Sequence, residues 1–347
     1  MPVERDAVIA ALSRVKDPEL GRSIVELKMV RDVQVQDGTV TVAIALTAAG
    51  CPLRAKIEED VRAAVAALPG VETVTIEMTS MTPDERRGAL GTGYVGSASE
   101  HNRVKRIVAV MSGKGGVGKS LVAGLLAAAL ARDGYRVGVL DADVTGPSIP
   151  RLFGLRGPVQ GGPLGIFPPQ SRGGVDVMSF NLLLERDDQP VIWRGPMIGR
   201  AIQQLWGDVL WGEKEYLLVD LPPGTSDAAL VTLQSLPLSG ILMVTTPQSL
   251  ATMIVRKGVF LAQLMSVPIS GVIENMAYFT CPETGVRHEI FGPSHAHEVT
   301  EIACAPLLAR LPIDPDVVAR CDAGQIEDVH MAELPALMNA FLEAVPL

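Results

Sequence analysis

The stretch Ser112-Gly113-Lys114-Gly115-Gly116-Val117-Gly118-Lys119-Ser120 constrains this chain more than any other. It follows an apolar run from Arg106 to Met111 and precedes a small-residue apolar stretch from Leu121 to Ala131. Strand, glycine-rich turn and helix is the context in which Gly-x-x-x-x-Gly-Lys-Ser cradles phosphate. Glycines let the backbone turn with no Cβ in the way, so consecutive N–H groups point inward at oxyanions. The following helix adds its positive N-terminal end. The loop residues Gly113, Lys114, Gly115, Gly116, Val117 and Gly118 are therefore read as a nucleotide cradle. Lys119 reaches the β- and γ-phosphates, and the Ser120 hydroxyl takes a place on Mg²⁺.

Lys114 sets the loop apart, because a second cation inside the turn is costly unless it meets an anion. Lys114 to Ser120 resembles, residue for residue, the deviant Walker A loops, Lys-Gly-Gly-x-Gly-Lys-Ser/Thr. That resemblance implies a homodimer in which Lys114 reaches the partner's nucleotide; the alternative is a solvated lysine.

At 347 residues the chain has room for two domains and a substantial core. Hydrophobic residues make up 48% and aromatics 4%, which suits an aliphatic, alanine-rich α/β core. With 39 acidic and 30 basic residues the net charge is −9, an argument against general nucleic-acid binding. No apolar run approaches the roughly 18 residues that span a bilayer. The start, Met-Pro-Val-Glu-Arg-Asp-Ala, lacks the basic-then-apolar character of a signal peptide. The four cysteines lie far apart, so no disulfide framework is expected. The expectation is a soluble cytoplasmic protein without nucleic-acid or membrane partners.

Residues 1–78 read as a small α/β domain. Val8, Leu12 and Val15 have helical spacing, which Asp17-Pro18 breaks. Val33–Val35 and Val40–Leu46 alternate around Gln36-Asp37-Gly38-Thr39, a hairpin with an Asp-Gly turn. Ile57, Val61, Ala64, Val65 and Leu68 give a second helix closed by Pro69-Gly70, and Val71–Met78 a last strand. Cys51 precedes that second helix. It is either a small buried residue at a turn or a thiol activated by the helix N-terminus. Residues 79–104 carry Thr-Pro-Asp, Gly-Thr-Gly and Gly-Ser-Ala-Ser with no apolar period, as a linker does.

Residues 105–347 alternate apolar strands with helices, which calls for a parallel sheet of the P-loop NTPase kind. The candidate strands are Ile107–Met111, Arg136–Leu140, Val175–Ser179, Tyr216–Asp220, Ile241–Thr245, Ile269–Glu274 and Leu307–Leu311. Ligands sit at the carboxyl edge of such sheets. At those ends stand Asp141-Ala142-Asp143, Asp220-Leu-Pro-Pro-Gly-Thr225 and Asn275. The run Tyr216–Val219 closing on Asp220 reads as the Mg²⁺-holding aspartate, with Pro222–Thr225 as the loop that senses the γ-phosphate. Asn275 has a helix-capping alternative. Met331–Leu347 has apolar spacing but no Lys or Arg for anionic lipid, and reads as a packing helix.

Several stretches now carry a family: Asp141-Ala-Asp-Val-Thr-Gly-Pro-Ser148, Trp193-Arg-Gly-Pro-Met197, Val219-Asp-Leu-Pro-Pro-Gly-Thr225, Thr246-Pro-Gln248, Glu274-Asn-Met276 and Leu311-Pro-Ile-Asp-Pro315. In that order they resemble the Mrp/ApbC ATPases, relatives of the septum-site ATPase MinD and the nitrogenase iron protein. The motifs Asp17-Pro-Glu-Leu20 and Thr47-Ala-Ala-Gly-Cys-Pro-Leu53 resemble the small iron–sulfur targeting domain often fused to them. The resemblance implies an ATP-hydrolysing dimer that passes iron–sulfur clusters to apoproteins. It implies that Asp143 orders or activates the attacking water and that Asn275 contacts adenine.

The chain departs from this family at the cluster motif. Cluster-binding members carry Cys-Pro-x-Cys after the asparagine; here the stretch is Cys281-Pro282-Glu283-Thr284. Cys281 remains the candidate cluster ligand at the dimer interface. Thr284 supplies no soft thiolate. His288, His295 and His297 are either substitute ligands or surface residues, and nothing in the spacing of Cys304 and Cys321 aims them at Cys281. Leu121, Leu125 and Ile254 also depart from the pattern. The resemblance therefore implies an ATP-dependent cluster carrier; its alternative is a nucleotide-switched scaffold without a stable cluster.

Overall fold

Apolar runs bounded by glycine, proline and polar turns become the strands, and helices with one apolar face cover them. The structure, a computed structural model, describes residues 3–17, 23–36, 38–46, 54–80, 98–159, 161–162, 164–184 and 195–347. The chain divides into two units, Met1–Gly93 and Tyr94–Leu347.

The first unit contains α1 (Arg5–Leu12), β1 (Val30–Gln36), β2 (Thr39–Leu46), α2 (Arg54–Ala66) and β3 (Thr73–Ser80). β1 and β2 are antiparallel with Gln36 opposite Thr39, as the hairpin pattern requires; Asp37 itself lies outside the described residues. β3 runs parallel to β2, so α2 is the crossover. Ile57, Val61 and Val65 form its buried stripe and join Val40, Val42 and Ile44 in one core. The turns at Ser23–Met29 are not expected from the sequence, although Ile24, Leu27 and Met29 are fully buried there. Their spacing follows neither the helical nor the strand period.

The second unit opens with β4 (Arg103–Ser112), α3 (Lys119–Arg132), β5 (Val137–Asp141), α4 (Ile149–Leu152), β6 (Gly161–Gly162), β7 (Gly165–Ile166) and β8 (Asp176–Ser179). There follow α5 (Gly195–Gly207), β9 (Glu213–Asp220), α6 (Asp227–Ser235), β10 (Gly240–Thr245), α7 (Ser249–Leu264) and β11 (Ile269–Glu274). The unit closes with β12 (Phe279–Thr280), β13 (Arg287–His288), α8 (Ala296–Ala303), β14 (Leu307–Arg310), α9 (Pro315–Asp322) and α10 (Leu334–Ala344).

A seven-stranded sheet takes the order β14-β11-β10-β4-β9-β5-β8, with every neighbouring pair parallel. These are the strands expected from the apolar runs. β4 begins earlier, at Arg103, because its first half alternates exposed and half-buried residues that an apolar run does not reveal. Along its buried half, Val108 and Val110 join Val122, Leu126 and Leu130 of α3 in one core. Ile107, Ala109 and Met111 face the opposite layer with Val255 and Val259 of α7. Helices thus cover both faces of the sheet. α10 buries Leu334, Leu337 and Phe341 in the α3 layer, as a packing helix. Among the described residues, no helix is long and apolar enough to cross a membrane. α3 carries the chain from β4 past β9 to β5, while β10 lies on the other side of β4. The end of β4 is therefore a switch point, where ligands of such sheets sit.

Candidate functional site

The glycine loop leaves β4 at the buried Ser112 and feeds α3. Gly118, the residue before the helix, has φ +79°, and a Cβ there would collide with the side-chain amide of Asn275. Only glycine fits that position. Asn275, 3% exposed at the end of β11, donates from Nδ2 to the Val117 carbonyl at 2.8 Å. It caps no helix, since the next one begins at Ala296. It clamps the loop from behind, a contact that sequence spacing does not reveal.

Lys119 and Ser120 converge on one carboxylate. Lys119 Nζ lies 2.5 Å from Asp220 Oδ1, and the Ser120 hydroxyl donates to Oδ2 at 2.5 Å. Strand register places Asp220 opposite both Val110 of β4 and Asp141 of β5. Two buried carboxyls therefore share the carboxyl edge of the sheet. Burial raises the Asp220 carboxyl above its ordinary value, and the Lys119 ammonium pulls against that rise. Burial, with the Asp220 charge adding to it, pushes the Asp141 carboxyl from 3.8 up to about 8. The Asp141 oxygens accept the N–H groups of Asp143, Ser148 and Ile149 and the Ser179 hydroxyl. Asp141 is thus a structural hub, a role that the Asp-x-Asp spacing alone does not separate from that of Asp143.

Asp143 turns the other way. Its Oδ1 accepts from the Thr145 hydroxyl at 2.7 Å and the Gly146 N–H at 3.2 Å. With the glycine loop and Pro223 it lines a cavity of about 230 Å³. The loop after Asp220 is tied to the same place, since the Gly224 N–H donates to the Ser112 carbonyl at 2.9 Å. Lys114 donates from Nζ to Gln248 of its own chain, just before α7.

Leu121 belongs both to this cavity and to a neighbouring apolar one of about 190 Å³. Leu125, Asn275, Met276, Phe291 and Pro312 are among its other walls. Of these, only Asn275 is expected from the sequence to contact a ligand; the rest come together through the fold.

Cys281 sits in the turn between β12 and β13, where Phe279 pairs with His288 and Thr280 with Arg287. The Gly285 N–H donates to the Cys281 carbonyl at 2.8 Å, and the Cys281 N–H to the Val286 carbonyl at 2.9 Å. The Thr284 hydroxyl, followed by the N–H groups of Thr284 and Glu283, holds the Cys281 thiol below its ordinary range. Thr284 thus supports the sulfur from within the same turn. His288 is exposed, and His295 and His297 face Glu298 and Glu301 of α8. Cys304 is exposed, while burial pushes the Cys321 thiol up to about 11. Among the described residues, no three His, Cys, Asp or Glu side chains gather as a metal site. Cys51, Trp193, Arg194 and the side chain of Ile254 lie outside the described residues.

Comparison with known proteins places this arrangement. A family profile described as NUBPL iron-transfer P-loop NTPase matches residues 103–345. The chain belongs to that family. A second profile, described as iron–sulfur cluster assembly protein, matches residues 5–77. The iron–sulfur cluster carrier protein of Synechocystis sp. is 43% identical over 314 residues, 89% of this chain and 87% of the relative. A solved nucleotide-binding protein from Archaeoglobus fulgidus, in complex with ADP, is 39% identical. It aligns with TM-score 0.62 over 70% of this chain and 95% of that one. A chain of the MinC:MinD cell division protein complex from Aquifex aeolicus is 18% identical with TM-score 0.51 over 70% of this chain and 98% of its own, and shares the fold. Within this iron-transfer NTPase, the departures Leu121 and Leu125 both line the apolar cavity beside the loop.

Proposed function

We propose that this NTPase is an ATP-hydrolysing iron–sulfur cluster carrier that works as a cytoplasmic homodimer and delivers clusters to apoproteins. The observation that carries the reading is the convergence of Lys119 and Ser120 on Asp220 beneath the glycine loop. The phosphates lie against the loop N–H groups, and the base enters the apolar cavity that shares Leu121. Phosphate binding draws Lys119 from Asp220 to the β- and γ-phosphates. Ser120 Oγ and the Asp220 carboxylate are hard oxygen donors of the kind Mg²⁺ takes. Held by these two residues, Mg²⁺ would neutralise charge on the phosphates. Asp143 orients the water that attacks the γ-phosphorus, with ADP as leaving group. Lys114 exchanges Gln248 for the partner's phosphates, which makes turnover depend on the dimer.

The cargo is held by Cys281 from each protomer. A four-iron cluster takes about four protein ligands, and a symmetric pair of Cys281 residues gives two. Such a cluster is easily lost, which suits delivery more than storage. Thr284 also favours a second reading, a nucleotide-switched scaffold that carries no stable cluster. Anaerobic reconstitution with an iron and sulfide count separates the two, and Mg-ATP binding with steady-state hydrolysis tests the ATPase assignment. Failure of wild-type protein to bind Mg-ATP would end both readings.

A further inference from the structure

The hairpin that carries Cys281 starts and ends on one cavity. The chain leaves the sheet at Glu274, passes Asn275 and Met276, runs out through β12, returns through β13 and comes back at Phe291. Asn275, Met276 and Phe291 are all walls of the apolar cavity beside the glycine loop. Both feet are bends in left-handed backbone: Met276 has φ +56° and the residue after Phe291, Gly292, has φ +85°. A non-glycine residue held there is a feature of switch regions.

The rest of the hairpin is fastened unevenly. On the rising arm the Ala277 N–H donates to the Leu311 carbonyl, and the Ile313 N–H to the Tyr278 carbonyl. On the returning arm Arg310 joins Glu289 at 3.5 Å to the buried Glu274 at 2.6 Å. The Tyr278 hydroxyl also donates to Glu333 at 2.6 Å, and Arg287 lies over the Tyr278 ring, 4.4 Å from its centre. The tip is open to solvent, with Val286 51% and Ile290 58% exposed. Its feet and lower arms, not its tip, set where Cys281 sits.

We infer that Met276 and Phe291 are positioning residues that read the base in the cavity and fix the hairpin on which Cys281 rides. The inference rests on the reading of that cavity as the base site. Phe291 is 39% exposed, and a planar base against its ring removes that exposure by stacking. The phosphate cavity shares only Leu121 with this one, so phosphates touch neither Met276 nor Phe291 and reach the first foot only through the bond of Asn275 to the Val117 carbonyl. The nucleotide is then sensed at Cys281 through its base.

Hydrogen exchange on the full-length protein, with no ligand, with Mg-pyrophosphate and with Mg-ADP, tests this. Both ligands should slow exchange across residues 113–120. Only Mg-ADP should slow the Cys281 and Gly285 amides, by roughly tenfold, the factor that 1.4 kcal/mol of added local stability gives. Phe291→Ala should keep the loop protection and lose the hairpin protection, and Phe291→Trp should restore it. Mg-ADP protecting the loop but not the hairpin would overturn the inference, as would equal hairpin protection by pyrophosphate. If neither ligand protects residues 113–120, the nucleotide reading fails and this inference falls with it.

Discussion

Lys119 and Asp220 hold each other at the carboxyl edge of the sheet, 2.5 Å apart, with the lysine 6% and the aspartate 0% exposed. Removing one partner leaves the other buried and uncompensated, at a cost of about 3–5 kcal/mol, whereas replacing both is close to neutral. Lys119→Met should therefore lower the unfolding temperature measured without nucleotide. Adding Asp220→Asn should recover most of that loss, while neither variant binds Mg-ATP. Equal unfolding temperatures for Lys119→Met and wild type would remove the buried pair from the account.

The Asp141 carboxyl gives stability a pH dependence. Its folded value is about 8 against an ordinary 3.8, so between these values the folded protein holds a proton that the unfolded chain has released. Stability is greatest at the acid end of that window for this group, falls as pH rises toward 8, and is flat beyond it. Asp141→Asn cannot titrate and should flatten the profile. A wild-type unfolding temperature that rises from pH 5 to pH 8, with Asp141→Asn unchanged in slope, would contradict the assignment.

Asp143 lines the loop cavity without touching Lys119, Ser120 or Asp220 in the hydrogen bonds described above. Asp143→Ala should keep Mg-ATP affinity within a few-fold and slow hydrolysis by about 10²–10⁴, the range for a positioned acid–base group. Lys119→Ala should lose affinity itself. Parallel losses of affinity in both variants would merge the two roles.

Lys114 is bonded to Gln248 within its own chain, so its proposed service to a partner requires release. Lys114→Ala should bind ATP yet lose turnover, and mixing it with Lys119→Ala tests whether sites are shared. Gln248→Ala should shift the onset of dimer-dependent turnover to lower protein concentration. Hydrolysis strictly proportional to protein at every concentration, with no effect of mixing, would confine Lys114 to its own chain.

The sheet was legible because its strands are buried on both faces and read as unbroken apolar runs ending in polar residues. The loop was legible because glycine, lysine and serine each answer a separate demand of phosphate. Asn275 was legible as a position but not as the clamp on Val117, because strand order brings residues 158 positions apart into contact. Met276 lies in a recognisable stretch, yet nothing in the sequence joins it to Phe291, since their shared cavity arises from two bends on either side of a hairpin. The support of Cys281 by Thr284 was hidden for another reason: a threonine in a cysteine's place reads as a lost ligand, and only the turn brings its hydroxyl and N–H near enough to hold the thiol below its ordinary range.

Iron and acid-labile sulfide per dimer, counted after anaerobic reconstitution of wild type, Cys281→Ser and Thr284→Cys, test the central claim most directly. The account expects substoichiometric, easily lost iron–sulfur binding in wild type, none in Cys281→Ser, and a fuller, more stable cluster in Thr284→Cys, which restores the second thiolate. A Cys281→Ser protein that keeps the wild-type iron would place the site elsewhere, and a Thr284→Cys protein that stays colourless would leave the scaffold reading in its place.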